Sequence, residues 1–203
     1  MTPLEAATVG LRVRTGRAIL LALGGNSELP VGLVRCEVTL VDPRVPDSGQ
    51  PYHLGLELPA TRAQRAVERA CHAARTAGTA ALGRAFMDVE KPGFRLVSAN
   101  VVSDSATDPE TIHNAHMRAH AAEGRLFRDI CADAATNYPM TVGLTLSRTL
   151  REELGDALGA RPGTIDKVLG ALGVGFGRPW QADHKLAAMA AWLALARLEH
   201  ARC

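Results

Sequence analysis

The stretch VGLRVRTGRAILLALGG, residues 9–25, decides the fold. Its first half alternates apolar Val9, Leu11 and Val13 with Arg12 and Arg14, the two-residue period of a half-buried strand. Thr15-Gly16 reads as a tight turn, and RAILLALGG (17–25) returns as a more deeply buried strand ended by glycines. After NSELP comes VGLVRCEVTLVDP (31–43), a third strand with Val34, Cys36, Val38 and Leu40 on one face. Three successive strands with short links predict an antiparallel meander.

Outward from the meander, RVPDSGQPYHLGLELPA (44–60) is rich in Pro, Gly and Ser and predicts a long surface loop. Thr61 reads as the N-cap of a helix to about Ala85, softened at Gly78. GFRLVSANVVSDS (93–105) is a fourth strand. Asp108-Pro109-Glu110 then opens a helix to about Ala135, with acids against the dipole and proline in the first turn. YPMTVGLTL (138–146) is a fifth strand. Ser147 caps the first helix of an insertion over 147–172, whose second helix starts at Pro162 or Gly163. The closing helix is QADHKLAAMAAWLALARLEH. Helices between strands three and four, and four and five, require right-handed crossovers and parallel pairing. The expectation is one α/β domain over 1–203: a five-stranded mixed sheet in βββαβαβα order, with helices on both faces.

Bulk properties narrow the function classes. The chain has 203 residues, 47% hydrophobic, with a net charge of +2, enough for one sizeable core and without the concentrated basic patch of a tight non-specific nucleic-acid binder. Aromatics are only 4% of residues, which counts against base-stacking platforms. The four cysteines (Cys36, Cys71, Cys131, Cys203) form no C-x-x-C pair, so reduced thiols in a cytoplasmic protein are expected. The opening residues lack a charged-then-apolar pattern, so no signal peptide is expected. LAAMAAWLALA (186–196) is too short to span a bilayer, so no membrane partner is expected.

The element order is that of the ribonuclease H-like fold, and three stretches resemble RuvC-type Holliday-junction resolvases within that superfamily. VGLRVRTGRAILLAL resembles their opening strand-turn-strand, where a Gly-hydrophobic-Asp triplet precedes a glycine turn. AHMRAHAAEGRLFRDICADAA followed by PMTVGLTL resembles their mid-chain helix and fifth strand. WQADHKLAAMAAWLALARLEH resembles their closing helix, with acids just ahead of an Ala- and Leu-rich run. The whole chain also resembles proteins of high-GC actinobacteria, a likeness that carries no activity. The resolvase resemblance implies phosphodiester hydrolysis by two divalent metals. Their carboxylates would come from the first strand, the end of the fourth, and the closing helix. Two hard cations side by side need several anionic oxygens. Here Arg12 takes the first-strand position, Asp104 falls late, in the loop after the fourth strand, and only Asp183 matches. That pattern argues against a standard two-magnesium site.

A second cluster stands in HNAHMRAHAAEGRLFRD (113–129), where His113, His116, His120 and Glu123 are spaced three, four and three apart. On one helix they share a face. The spacing suits a divalent ion (Mg, Mn or Zn) held by His116, His120, Glu123 and Asp183, with Glu123, Asp183 and His120 as catalytic groups. A half-buried polar stripe with no ligand is the more ordinary reading of the same four residues. Arg12, Arg14, His184 and Lys185 are candidate substrate-phosphate contacts, although Arg12 and Arg14 also fit an internal ion pair with Glu123 or Asp183. Three functions follow. The first is a ribonuclease H-like domain with a degenerate carboxylate site that binds nucleic acid or nucleotide. The second is a metal-dependent phosphodiester hydrolase, and the third a non-catalytic interaction module forming a homodimer through helix faces.

Overall fold

The alternation of the opening stretch becomes a strand, β1 (Glu5–Arg14), that turns at Gly16, in positive φ, into β2 (Arg17–Gly25). The structure, a computed structural model, describes residues 4–91, 93–159 and 163–201, so Cys203 and the helix start expected at Pro162 lie outside the described residues. β3 (Pro30–Thr39) completes the meander, and β4 (Phe94–Ser103) and β5 (Thr141–Leu146) follow. The sheet order is β3-β2-β1-β4-β5, with β1, β2 and β3 antiparallel and β4 and β5 parallel to β1. This is the expected mixed sheet.

The helices divide between its faces. α1 (Pro51–Glu57), α2 (Ala60–Glu90) and α3 (Ala115–Asn137) belong to one side, where Val9, Leu11 and Leu20 pack with Leu82, Phe86, Phe127 and Ile130. On the other side, α4 (Leu150–Leu158), α5 (Thr164–Phe176) and α6 (Ala182–His200) pack with Ile19, Leu21, Leu23 and Val102. α6 runs against the middle of the sheet and is buried continuously from Ala187 to Ala196, which accounts for its lack of a polar face.

Small residues bring α6 unusually close to β1. A Cβ on Gly10 would overlap the Ala187 carbonyl oxygen and lie 2.6 Å from the Ala191 amide nitrogen. One step back along the strand, the Thr8 hydroxyl donates to the Ala191 carbonyl at 2.8 Å. Two strand residues advance about 6.7 Å and four helical residues about 6 Å, so Thr8 and Gly10 meet Ala191 and Ala187. The next pair in that stack is Arg12 and Asp183.

Five local expectations need correction, the first being Thr61, which lies inside α2 because that helix starts at Ala60 behind Pro59. Residues 44–60 are not one loop: a 3-10 turn spans Pro46–Gly49, and α1 begins at Pro51. Proline at the first helical position has a suitable φ and no N–H to satisfy. The helix expected to stop near Ala85 runs on to Glu90 unbroken at Gly78. There the missing side chain admits α3, since a Cβ would sit 2.7 Å from Ile130 Cγ2. Asp108 caps only the short turn Pro109–Thr111, accepting from the Glu110 amide at 3.2 Å. α3 starts afresh behind Asn114, whose Oδ1 accepts from the Met117 amide at 3.0 Å. Finally, Ser147 does not cap α4, which starts at Leu150 behind Thr149.

Candidate functional site: two clusters beside one cavity

Strand alternation sends Arg12 and Arg14 toward α6, and extends the Val102 side of β4 onto Asp104, the first residue past the strand. Arg12 is 1% exposed. Its Nε donates to Asp183 Oδ1 at 3.2 Å, and its Nη2 donates to both Asp104 oxygens at 2.7 Å. Arg14 closes the set. Its Nε and Nη2 hold Asp183 Oδ2 and Oδ1 at 3.0 and 2.8 Å, and its Nη1 reaches Asp104 Oδ2 at 2.9 Å. The Ser147 hydroxyl donates to Asp104 Oδ1 at 2.7 Å. Two cations and two anions thus form a neutral quartet in which every carboxylate oxygen accepts from a guanidinium.

The electrostatics agree with the geometry. Hydrogen bonds from Arg14 outweigh burial at Asp183 and, with those of Arg12, hold its carboxyl below the usual range. Burial alone would raise Asp104, but Arg12 and Ser147 donate to it and bring it down. The Asp183 contact in turn raises the Arg14 guanidinium. Both acids are ionised at neutral pH and already satisfied. The residues here do not fit a magnesium pair, because a fixed guanidinium occupies the point where the carboxylates converge.

The histidine stripe resolves differently from its expected membership. His113 precedes α3 and drops out, whereas His116 and His120 stand one turn apart on its exposed face. Their third neighbour is His53 of α1. The three rings meet edge to face, with centroids 4.8 Å (His53–His116), 4.3 Å (His53–His120) and 4.6 Å (His116–His120) apart. Glu123, wholly buried, lies behind them: its Oε1 pairs with His53 Nδ1 at 2.8 Å and accepts from the His53 amide at 3.2 Å. Asp183 takes no part, since the arginines hold it on the opposite face of the sheet. The expected set His116, His120, Glu123 and Asp183 is therefore not brought together, and the Arg12 and Arg14 partners are Asp104 and Asp183 rather than Glu123.

His184 and Lys185 also stand apart from the histidines. His184 Nδ1 accepts from the Gln181 amide at 3.0 Å as part of a capping box, and its ring stacks on Trp180. Burial and nearby Arg35 lower its pKa. With Asp183 and Arg35 it borders a 350 Å³ pocket. Lys185 is exposed one position along.

The two clusters share a border. A cavity of about 210 Å³ beyond the ends of β1 and β4 is lined by Arg14, Asp104, His120, Arg125 and Arg128, among others. Arg125 reaches Asp108 at 3.2 Å and Arg128 reaches Asp129 at 3.0 Å. A roomier groove of about 760 Å³ between β3 and α2 touches neither cluster. Chemistry, rather than volume, singles out the smaller cavity.

Sequence reasoning placed Tyr52-His53 in a loop, as a lid contact or anchor, without joining His53 to the histidine cluster, and it undervalued Asp104. His53 sat in a segment read as loop, where Pro51 at the helix start was the available signal. Asp104 was readable by counting two residues beyond Val102 on the same face.

The fold is ribonuclease H-like and has its likeness among RuvC resolvases. Thermus thermophilus RuvC superposes with a TM-score of 0.54 at 12% identity, covering 96% of this chain and 96% of that one. T. thermophilus RuvC in complex with Holliday junction substrate gives 0.52 at 14% identity, covering 97% and 94%. No family model and no curated protein matches the sequence, and nothing in these comparisons bears on the actinobacterial likeness. Among the described residues no helix is long and apolar enough to cross a membrane.

Proposed function

We propose that this chain is a ribonuclease H-like domain that binds nucleic acid, or a nucleotide, without two-magnesium cleavage. The observation that carries the reading is Arg12, 1% exposed and held between Asp104 and Asp183. The resemblance to resolvase-type nucleases implies carboxylates gathered around magnesium in this region. In this chain its acids neutralise two arginines instead. A phosphate-bearing ligand is supported by Arg14, Arg125 and Arg128 around one cavity at the strand ends, and by the solved T. thermophilus RuvC complex with a Holliday junction substrate. Guanidinium forks suit phosphate oxygens, and phosphate contacts alone give sequence-independent, salt-sensitive binding.

The test is binding of labelled four-way junction, duplex and single-stranded DNA, and of a labelled nucleoside triphosphate, across a salt series, with DNA cleavage followed in magnesium. Binding that weakens as salt rises, falls further in R125A/R128A, and leaves the DNA intact is the expected result. Magnesium-dependent cleavage at enzyme-like rates overturns the non-catalytic part. Absence of binding to any DNA or nucleotide, with a stable dimer in solution, overturns the whole in favour of an interaction module.

A further inference from the structure

We propose that His53, His116 and His120 form a zinc-binding site, oriented by buried Glu123 and leaving the fourth zinc position to water or an anionic oxygen. The site is separate from the arginine–aspartate quartet and does not depend on nucleic-acid binding.

Backbone placement comes first. His116 and His120 are four apart in the first two turns of α3, so their rings stand over one another. His53 lies in the first turn of α1, which packs beside them. One ligating atom from each of the three histidines lies within 4.8 Å of the others. Zinc–nitrogen bonds of about 2.0–2.1 Å set tetrahedral donors about 3.4 Å apart. His116 and His120 are exposed, so rotation of their side chains closes that gap without moving the backbone.

Protonation comes next. His53 gives Nδ1 to the Glu123 carboxylate at 2.8 Å. A carboxylate there fixes the proton on Nδ1 and leaves the lone pair on Nε2, the neutral donor a metal requires. That Nε2 is buried and has no hydrogen-bond partner among the described residues. A histidine serving only to pair with Glu123 would gain by turning its second nitrogen toward a polar group. Here the second nitrogen is among two other imidazoles.

Charge gives the third argument. Glu123 is wholly buried, and its Oε2 also lacks a partner among the described residues. A buried carboxylate whose one side-chain partner is an imidazole is costly, and a divalent cation on the far side of that imidazole would offset its charge through the ring. Three imidazoles favour zinc over magnesium, which prefers oxygen donors. His120 also borders the cavity holding Arg14 and Arg125, so an anionic oxygen entering the fourth zinc position from there would meet both guanidiniums.

The experiment uses tag-free, chelator-stripped full-length protein, titrated with zinc chloride against a chromophoric zinc chelator, with cobalt substituted in parallel. Binding of one zinc per chain, and a cobalt complex with tetrahedral d–d absorption, are expected. His116→Ala and His120→Ala are exposed changes that each remove a direct ligand, and each should weaken zinc by more than the roughly 10–100-fold that loss of an outer-shell partner costs. Glu123→Gln should weaken it about 10-fold and displace the cobalt bands, a readout that a purely structural glutamate would not move. Zinc bound well below one per chain, or with unchanged affinity in H116A/H120A, overturns the proposal. Either result leaves the DNA measurements above unaffected.

Discussion

Arg12 and Asp183 are 171 residues apart in sequence and 3.2 Å apart in space, with the arginine wholly inside the protein. The pair joins the first strand to the last helix. Its worth lies less in attraction than in the penalty for leaving either charge alone, because a buried ion stripped of its partner costs about 3–5 kcal/mol. Asp183→Asn should therefore destabilise the chain by roughly 3 kcal/mol. The remaining Asp104 contacts soften the loss. In D183N/R12M the apolar side chain should restore part of it. Urea unfolding of the two single variants and the double one measures the coupling.

Acid should attack the same quartet. The folded pKa values of Asp104 and Asp183 lie below their ordinary values. Their contribution is therefore present above the unfolded carboxylate pKa of about 3.9 and is lost as pH falls through the folded values. Half-exposed Asp104 contributes the smaller share, since solvent screens it. Thermal midpoints measured from pH 6 downward should fall more steeply below about pH 4 in the native sequence than in D183N.

Replacing the buried cation tests what keeps magnesium away. In Arg12→Asp, three carboxylates would face one another with only Arg14 to balance them. This variant should be less stable than the native chain in chelator and should regain stability as magnesium or manganese is added. The native chain should show no such gain. Equal magnesium responses in both proteins would contradict the role given to Arg12.

Gly10→Ala should be among the most damaging single-methyl changes available. The added Cβ meets α6 backbone rather than a flexible side chain. Overpacking costs about 1–3 kcal/mol when side chains can shift, and the loss here should reach or exceed the top of that range. The midpoint of chemical unfolding reports it.

Thiol chemistry gives an independent check on the core. Cys131 is fully buried, which pushes its thiol up to about 12, whereas Cys36 and Cys71 are half-buried, with burial raising their thiols. In the native protein an aromatic disulfide reagent should modify Cys131 last, at the rate of unfolding. Mass mapping of the modified peptides distinguishes it from the others.

The strands were legible because their signal is local and repeated. Val9, Leu11 and Val13 alternate cleanly with Arg12 and Arg14, and crossover handedness then fixes the parallel pairs. The identity of the partners was harder to read. Sequence alone put Arg12 where an acid was expected, but offered both Glu123 and Asp183 as counterions. Only the stacking of β1 on α6 chooses Asp183. His53 was hidden because a helix of two turns is too short for its periodicity to outweigh flanking Pro and Gly. His113 looked like part of the stripe because Asp108-Pro109-Glu110 is as good a start signal as Asn114. It caps a turn instead of the helix.

The antiparallel stack of β1 on α6 also has a temporal side. A ribosome releases Arg12 long before Asp183, so a nascent meander carries an uncompensated cation on the face that α6 will cover. Domains emerging from synthesis fold as their segments become available, and this one must wait for its closing helix before that face can dry. Shortened chains ending ahead of α6 should therefore be held by chaperones or degraded rather than accumulate as a stable half-domain.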